Sequence, residues 1–408
     1  MIFFFLCFIS ILEIFSATST LTYKKQNYWD PVTRHTVFLL AGTAVVLLIH
    51  SLKPKYLSIF IVGLPFTWVL LILTRLFGSY VNGAHRLIEV GGLSFQPSEL
   101  AKLCLIVFTA FVLSKAQEAK EDVRFKWIVY ITIITCGTIL TENLSTAVLL
   151  YVVVVLMMFV GQIPTRQMLW LVLASCVVAM LFVVLLHTAP KEMFADKNSV
   201  FHRASTWKTR IDDFWTDKQE KDPKTFDVND NYQVSHAKIA IARGRILGVF
   251  FGNSQERDYL PQAYSDFIYA IIIEEMGMVG GIFVLALYVF LFIRAGMIAN
   301  RCQQVFPKLL VIGSALIIVL QAFINMAVAV NLMPVTGQPL PLISRGGTST
   351  LITCVYMGII LSVSRFENPK GIQREQEIAE ENESAAVEKL WNEDLNIEDL
   401  DIQEEKQQ

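Results

Sequence analysis

The chain has 408 residues, of which 54% are hydrophobic and only 17% are charged, whereas about 25% of the residues in a soluble domain are charged. This composition excludes an ordinary soluble enzyme and indicates an integral membrane protein. The net charge of −2 is uneven, because fourteen Asp and Glu but only four Lys and Arg follow Arg365. The sequence therefore predicts a basic membrane domain, residues 1–365, and an acidic tail, residues 366–408.

Apolar segments of membrane-spanning length follow one another along the membrane domain, and a spanning helix needs about 20 apolar residues. The first segment lacks the basic region of a signal peptide, so it is predicted as a helix. The fold class expected is an all-α integral membrane protein with about ten transmembrane helices. These are 1–16, 36–52, 56–77, 98–115, 127–142, 145–161, 167–187, 265–293, 308–330 and 348–364.

Orientation is predicted from the Lys and Arg residues of the short loops, which are more frequent on the cytoplasmic side. This bias places both termini in the cytoplasm and puts a large loop, about residues 188–262 between the seventh and eighth helices, outside. The tail is rich in Glu, Gln and Asn and is predicted to be mostly disordered.

Four polar stretches interrupt the apolar pattern, and all four fall on the outer side in this topology. Each contains Gly, Pro or charge where a helix meets the membrane surface. Irregular backbone at that depth is tolerated only when it is buried in protein or lines a wet cavity. The sequence therefore predicts one outward-facing cavity shared by 82–103, 141–147, 231–267 and 331–349.

The stretch QPSELAK places Glu99 in the first turn of a helix and Lys102 on the same helix face, three residues later. One interpretation is a structural ion pair. The other is that Lys102 binds an anionic headgroup, with Glu99 beside it.

The stretch LPQAYSDFIYAIIIEE begins an apolar helix, with Ser265 as its expected cap and Asp266 in its first turn. Asp266 is either a structural carboxylate at the positive helix end or a general base at the cavity floor. Glu274 and Glu275 lie about 12 Å further along the helix, so we expect them to bind basic groups of neighbouring helices instead.

The predicted outer loop also contains HRASTWKTRIDDFW, in which Arg203 and other cations lie beside Trp207. This pattern fits an ordinary interfacial segment or a site for an anionic, sugar-bearing lipid. The six cysteines and six histidines show no ligand spacing, so no metal site built by the protein is expected. No nucleotide-binding loop is found, and no nucleic acid partner is expected.

These motifs, in this order, resemble the SEDS family (shape, elongation, division and sporulation). Together with the hydropathy pattern, the resemblance covers nearly all of residues 1–365. The GNS at 252–254 is more similar to the division members than to the elongation members. The matching pieces are GAHR…QPSELAKL, YQ…AIARG…GNS, LPQAYSDFIYAIIIEE and PVTGQPLPLISRGGTS. Arg243 and Arg345 depart from the pattern, which has Gly and an uncharged residue there.

The resemblance implies a peptidoglycan glycosyltransferase that polymerises lipid II at the outer face of the bacterial cytoplasmic membrane, at the division septum. An elongation-type polymerase and a lipid II flippase are the alternatives. The implied partners are lipid II, a class b penicillin-binding protein and division-complex membrane proteins. The implied cation is Mg²⁺ or Mn²⁺ carried by the lipid diphosphate, with no cofactor held by protein ligands.

The resemblance also implies roles for individual residues. Asp266 falls on the essential Asp of the family and is expected to be catalytic, as the general base. The residues expected to bind substrate are Lys102, Arg86, Asp258, Glu99, Lys238, Ser254 and Arg203.

Overall fold

The structure is a computed structural model, and it describes residues 1–17, 30–81, 84–90, 93–115, 121–188, 200–219, 232–260, 263–366 and Ser384. The acidic tail predicted at 366–408 therefore lies outside the described residues, apart from Phe366 and Ser384. The α-helices are α1 (Ile2–Ala17), α2 (Asp30–Ser51), α3 (Gly63–Phe77), α4 (Pro97–Ser114), α5 (Glu121–Leu140), α6 (Leu144–Val160), α7 (Thr165–Thr188), α8 (Val200–Gln219), α9 (Tyr232–Gly244), α10 (Ile268–Arg301), α11 (Val305–Ala329) and α12 (Gly347–Phe366).

Each of the ten predicted spans is helical, as a bilayer requires of a chain that must satisfy its backbone hydrogen bonds internally. Among the described residues, seven helices are long and apolar enough to cross a membrane. An eighth span is the 3-10 helix Pro54–Ile61 together with α3, bent by 41°. The shorter apolar helices α1 and α6 account for the other two predicted spans.

The centre of the bundle is formed by α4 and α11, with buried fractions of 72% and 78% in their apolar windows. Both are apolar on nearly every face, the pattern of a helix enclosed by other helices. In contrast, an 18-residue window of α7 contains no buried residue, so α7 presents its side chains to lipid.

The first polar stretch folds as a small antiparallel sheet between α3 and α4. Its strands are β1 (Ser79–Val81), β2 (Ala84–Val90) and β3 (Leu93–Phe95), in the order β1-β2-β3. The prediction of an all-α protein is therefore correct for the membrane spans but omits this sheet.

The predicted outer loop contains two helices, α8 and α9, and its later part turns back against α10. This part is called the hairpin (residues 232–260). Helix α10 breaks at Gly277, where φ is +71°, and the hairpin supplies hydrogen bonds to the broken turn. They run from Val249 N to Glu274 O, Phe250 N to Glu275 O, Met278 N to Arg245 O and Val279 N to Ile246 O, at 2.9–3.3 Å.

Glycine is required on both sides of this contact. A Cβ on Gly277 would lie 2.1 Å from Ile246 O, and a Cβ on Gly248 would lie 2.1 Å from Glu275 O. Both residues also have positive φ angles, which L-residues with side chains rarely adopt. Two glycines therefore allow the backbones of the hairpin and α10 to touch.

Candidate functional site

A cavity of about 810 Å³ lies at the end of the bundle where α4 and α10 begin. Its wall includes residues from all four polar stretches that the sequence assigns to one shared cavity. Members of these stretches that line it include Leu87, Glu99, Asn143, Thr146, Gln233, Asp266 and Gln338. The cavity thus joins segments that lie more than 200 residues apart in the sequence.

Asp266 lines this cavity in the turn that precedes α10. The hydroxyl of Ser265 donates a hydrogen bond to its Oδ1 at 3.1 Å. The sequence predicts that Ser265 caps the helix, and this is wrong. The helix begins at Ile268, and its N-cap residue Phe267 makes no side-chain cap hydrogen bond. The carboxylate is therefore held on a turn, facing the cavity.

The backbone of Asp266 is fixed by a buried side chain of α11. The amide of Asn325, 1% exposed, donates hydrogen bonds to the carbonyl oxygens of Asp266 at 2.9 Å and of Gln338 at 2.8 Å. One amide group thereby joins α11, the turn before α10 and the loop before α12. Buried carbonyls that are paired in this way hold their positions, because leaving them unpaired is costly.

The loop before α12 forms the opposite side of the same turn. The hydroxyl of Ser344 donates to the carbonyl of Ser265 at 2.6 Å. The amide of Arg345 donates to the carbonyl of Tyr264 at 2.9 Å, and its guanidinium lies 5.5 Å from the Tyr264 ring centre. The turn that carries Asp266 is therefore anchored on both sides.

Three arginines of the described chain line the cavity, namely Arg34, Arg210 and Arg345. Arg210 belongs to α8 and donates a hydrogen bond to the carbonyl of Val335 at 3.1 Å. Burial lowers the pKa of Arg210, and the negative charge of Asp266 acts in the opposite direction. The carboxylate of Asp266 and the guanidinium of Arg210 are thus close enough to interact electrically.

Sequence reasoning did not assign these three arginines to the site. Arg345 carries the clearest signal, because a cation replaces an uncharged residue in the family pattern. Arg210 lies in the cationic segment with Arg203, but nothing local indicates which cation faces the cavity.

Glu99 and Lys102 form the ion pair that the sequence predicts, with Lys102 Nζ 2.9 Å from Glu99 Oε1. Glu99 lines the cavity. Lys102 is 1% exposed and also donates to Gln321 Oε1 at 3.2 Å, while Gln321 donates to the carbonyl of Pro339 at 3.0 Å. The buried ammonium group of Lys102 thus holds Glu99, a residue of the cavity wall, in place. A contact between Lys102 and a lipid headgroup stays a prediction.

Of the other residues expected to bind substrate, Ser254, Asp258 and Lys238 do not belong to the described cavity wall, and the side chains of Arg86 and Arg203 lie outside the described part of the structure. Ser254 is buried, and its hydroxyl donates to Glu274. Asp258 has a half-exposed side chain 3.6 Å from Arg257, and Lys238 is half-buried on α9. Arg86 lies on β2 and Arg203 on α8. Their roles toward a substrate stay predictions.

The two glutamates of α10 hold the hairpin. Glu274 has the basic partner that the sequence predicts, since its Oε1 lies 3.7 Å from a guanidinium nitrogen of Arg243. Glu275 accepts hydrogen bonds from the hydroxyl of Ser16 and from the amide of Gly252, and the positive charge of Arg257, which binds the same hydroxyl, also acts on it. Both carboxylates are buried, so their role in this structure is to fasten the hairpin to α10.

The arrangement combines two carboxylates, those of Asp266 and Glu99, with three guanidinium groups in one cavity at the end of the bundle. Such a cavity can hold an anionic group and remove a proton from a neutral one. Fold and site therefore define a polytopic membrane protein with a cavity at one end of the helical bundle, whose wall combines carboxylates with guanidinium groups.

The chain belongs to the family described as cell cycle protein FtsW/RodA/SpoVE, which matches residues 1–369. It is 32% identical over 377 residues to a probable peptidoglycan glycosyltransferase FtsW of Nitrosomonas europaea, covering 88% of this chain and 90% of the relative. It is 30% identical over 362 residues to the corresponding protein of Bacillus subtilis, covering 84% and 86%.

Two solved structures share the fold. One is a chain of a peptidoglycan synthase complex whose structure was described in terms of the coordination of polymerization and crosslinking. It aligns with a TM-score of 0.67 at 24% identity, and the alignment covers 90% of this chain and 98% of the other. The rod shape determining protein RodA of Thermus thermophilus has a TM-score of 0.61 at 22% identity, with 90% and 95% covered.

Proposed function

We propose that the protein is a peptidoglycan glycosyltransferase that polymerises lipid II into glycan strands at the outer face of the bacterial cytoplasmic membrane. The observation that carries this proposal is the position of Asp266, held in a cavity whose wall also contains Arg34, Arg210 and Arg345. Family membership and the FtsW relatives support the same activity. A role in septal synthesis rather than elongation is supported by the GNS at 252–254, which resembles the division members of the family.

In the proposed reaction, Asp266 is the general base. It takes the proton of the acceptor 4-hydroxyl of GlcNAc as that oxygen forms a bond to C1 of the donor MurNAc. The bond from C1 to the diphosphate oxygen breaks, and undecaprenyl diphosphate leaves with the electron pair. A positioned base contributes about 10²–10⁴-fold to such a rate.

The leaving diphosphate gains negative charge, and preorganised cations stabilise charge that develops in a transition state. We assign this role to Arg34, Arg210 and Arg345, because they line the cavity that contains Asp266. A divalent cation, Mg²⁺ or Mn²⁺, carried by the lipid diphosphate would add positive charge at the leaving group.

The remaining predicted residues keep the substrate-binding role that the family resemblance implies. These are Arg86, Arg203, Lys238, Ser254 and Asp258. Lys102 is proposed to act through Glu99, its ion-pair partner.

The protein is an integral membrane protein, and we propose that both termini are cytoplasmic and that it works at the division septum. The Lys and Arg bias supports this orientation. The proposed partners are a class b penicillin-binding protein and division-complex membrane proteins. The structural likeness to a synthase complex that coordinates polymerization and crosslinking supports the first of these.

The test is polymerisation of fluorescent lipid II by the purified chain together with a class b penicillin-binding protein. We expect Asp266→Asn to lower the rate by about 10²–10⁴-fold, because Asn keeps the shape but cannot accept the proton. The matched control is Asp212→Asn, which removes an exposed carboxylate of α8 that does not line the cavity. Equal rates for Asp266→Asn and wild type would refute the base assignment. If lipid II crossed liposome membranes and no polymer formed, the transporter hypothesis would replace the enzyme hypothesis.

A further inference from the structure

A second groove lies at the end of α4 that is remote from the cavity. Helix α4 begins beside the cavity, and its 18 residues span about 27 Å at 1.5 Å per residue. At the far end, α4 and the start of α5 leave an open groove of about 310 Å³. It is lined by Phe108, Phe111, Val112, Lys115, Val123, Arg124 and Trp127.

We propose that this groove binds an anionic phospholipid, with the headgroup at Lys115 and Arg124 and the upper acyl chains along the aromatic wall. In the proposed orientation this is a lipid of the cytoplasmic leaflet. The proposal does not depend on the catalytic function, because it concerns the opposite end of the bundle.

The first argument is the state of Arg124. Its side chain is 5% exposed, and within the described residues its Nε has no hydrogen-bond partner. A buried nitrogen that lacks a hydrogen-bond partner is costly, so an anion that reached this guanidinium would be stabilised. The nearby carboxylate of Asp122 is exposed and accepts a hydrogen bond from Gln167 of α7.

The second argument is the position of Arg124 within α5. It lies in the first turns of this helix, which begins at Glu121. The N-terminal backbone amides and the positive end of the helix dipole favour an anion there. Glu121 and Asp122 also belong to this first turn, so the helix end favours a headgroup anion in addition to these carboxylates and does not by itself require one.

The third argument selects a lipid over a free anion. Phe108 and Lys115 are seven residues apart on one helix, a separation of about 10 Å along the axis. Among the described residues that line the groove, all are apolar except the two cations at its end. A free phosphate would use only the cations, whereas a lipid uses the whole groove. Basic pockets between helices on the cytoplasmic side are known to bind anionic headgroups.

The wall of the groove has the chemistry of a membrane interface. Trp127 and Tyr130 are both more than half exposed, and such residues concentrate at the headgroup level. Lys115 Nζ lies 5.9 Å from the Phe111 ring centre, so its methylene stem and charge both lie at the groove.

Trp127 provides a direct probe of occupancy. The full chain is reconstituted into bilayers that contain either phosphatidylglycerol or phosphatidylethanolamine brominated on the acyl chains. The difference in quenching between wild type and Trp127→Phe isolates the contribution of Trp127. We expect brominated phosphatidylglycerol to quench Trp127 more strongly than the zwitterionic lipid at equal content, and unlabelled phosphatidylglycerol to reverse this quenching.

Two variants test the headgroup site. Removing one cation is expected to weaken the preference for phosphatidylglycerol about fivefold, since a cation near the surface contributes about 1 kcal/mol. Arg124→Gln and Lys115→Gln should each show this loss. Lys126→Gln removes an exposed cation of the same helix that does not line the groove, and it should keep the preference.

Equal quenching by the two lipids, or an unchanged preference in both groove variants, would overturn the proposal. The absence of quenching by either lipid would also overturn it, because the groove would then be covered by protein. Lys115→Gln and the wild-type competition give an answer even if Arg124→Gln does not fold.

Discussion

Replacing Lys102 with Met is expected to destabilise the protein by about 3–5 kcal/mol, the cost of leaving one partner of a buried ion pair uncompensated. Lys102 is 1% exposed and Glu99 is 5% exposed. Their charged atoms are 2.9 Å apart, and Lys102 also binds Gln321 at 3.2 Å. The substitution therefore leaves a buried carboxylate without its cation and an amide oxygen without its donor.

The second variant of this test combines Lys102→Met with Glu99→Gln. This double variant removes the charge of both groups, so much of the lost stability should return. Stability is measured in mixed detergent micelles, by following tryptophan fluorescence as denaturing detergent is added. Losses below about 1 kcal/mol for Lys102→Met, the range of solvent-exposed pairs, would refute the reasoning. So would a double variant as unstable as the single one.

Three other substitutions test the site and the hairpin. Gly277→Ala should destabilise the fold by more than the roughly 1–2 kcal/mol of a left-handed residue, since its Cβ would meet Ile246 O at 2.1 Å. Gly296→Ala has nothing within 4 Å of its Cβ and should stabilise the fold by up to about 1 kcal/mol in the same unfolding assay, because Ala is the better helix former. Equal effects of the two substitutions would contradict the contact. Asn325→Leu should lower the free energy of unfolding by about 1–3 kcal/mol, because the two carbonyl groups that Asn325 pairs lose their donor. It should also lower kcat for lipid II polymerisation. An unchanged kcat would mean that Asn325 does not position Asp266. Arg210→Gln should lower kcat/KM about 10- to 100-fold, the equivalent of a charged hydrogen bond of about 1.5–3 kcal/mol. Arg210→Lys keeps the positive charge and should retain part of the lost kcat/KM. Full activity of Arg210→Gln would show that Arg210 takes no part in the site.

The spans were predictable because the bilayer imposes them. Each must be long, apolar and helical, and that requirement is local in the sequence. The pair of Glu99 and Lys102 was predictable for the same reason, since residues three apart share a helix face. Which of the two lines the cavity depends on Gln321, more than 200 residues later, and no local pattern reveals it.

The start of α10 shows where local reasoning fails. Ser265 has the chemistry of a cap, but Asn325 and Ser344 hold the turn before the helix in another geometry. These contacts come from distant parts of the chain and outweigh the local preference. The approach of Arg210 to the cavity is likewise a tertiary contact that the amphipathic pattern of α8 does not encode.

The break in α10 at Gly277 has a consequence for the order of assembly. Residues 245–250 hydrogen-bond to the backbone around this break, and backbone groups left unpaired in lipid are costly. Those residues precede α10 in the chain, so they are already synthesised when α10 enters the membrane. The hairpin and the first part of α10 should therefore mature as one cooperative unit and exchange their amide hydrogens together.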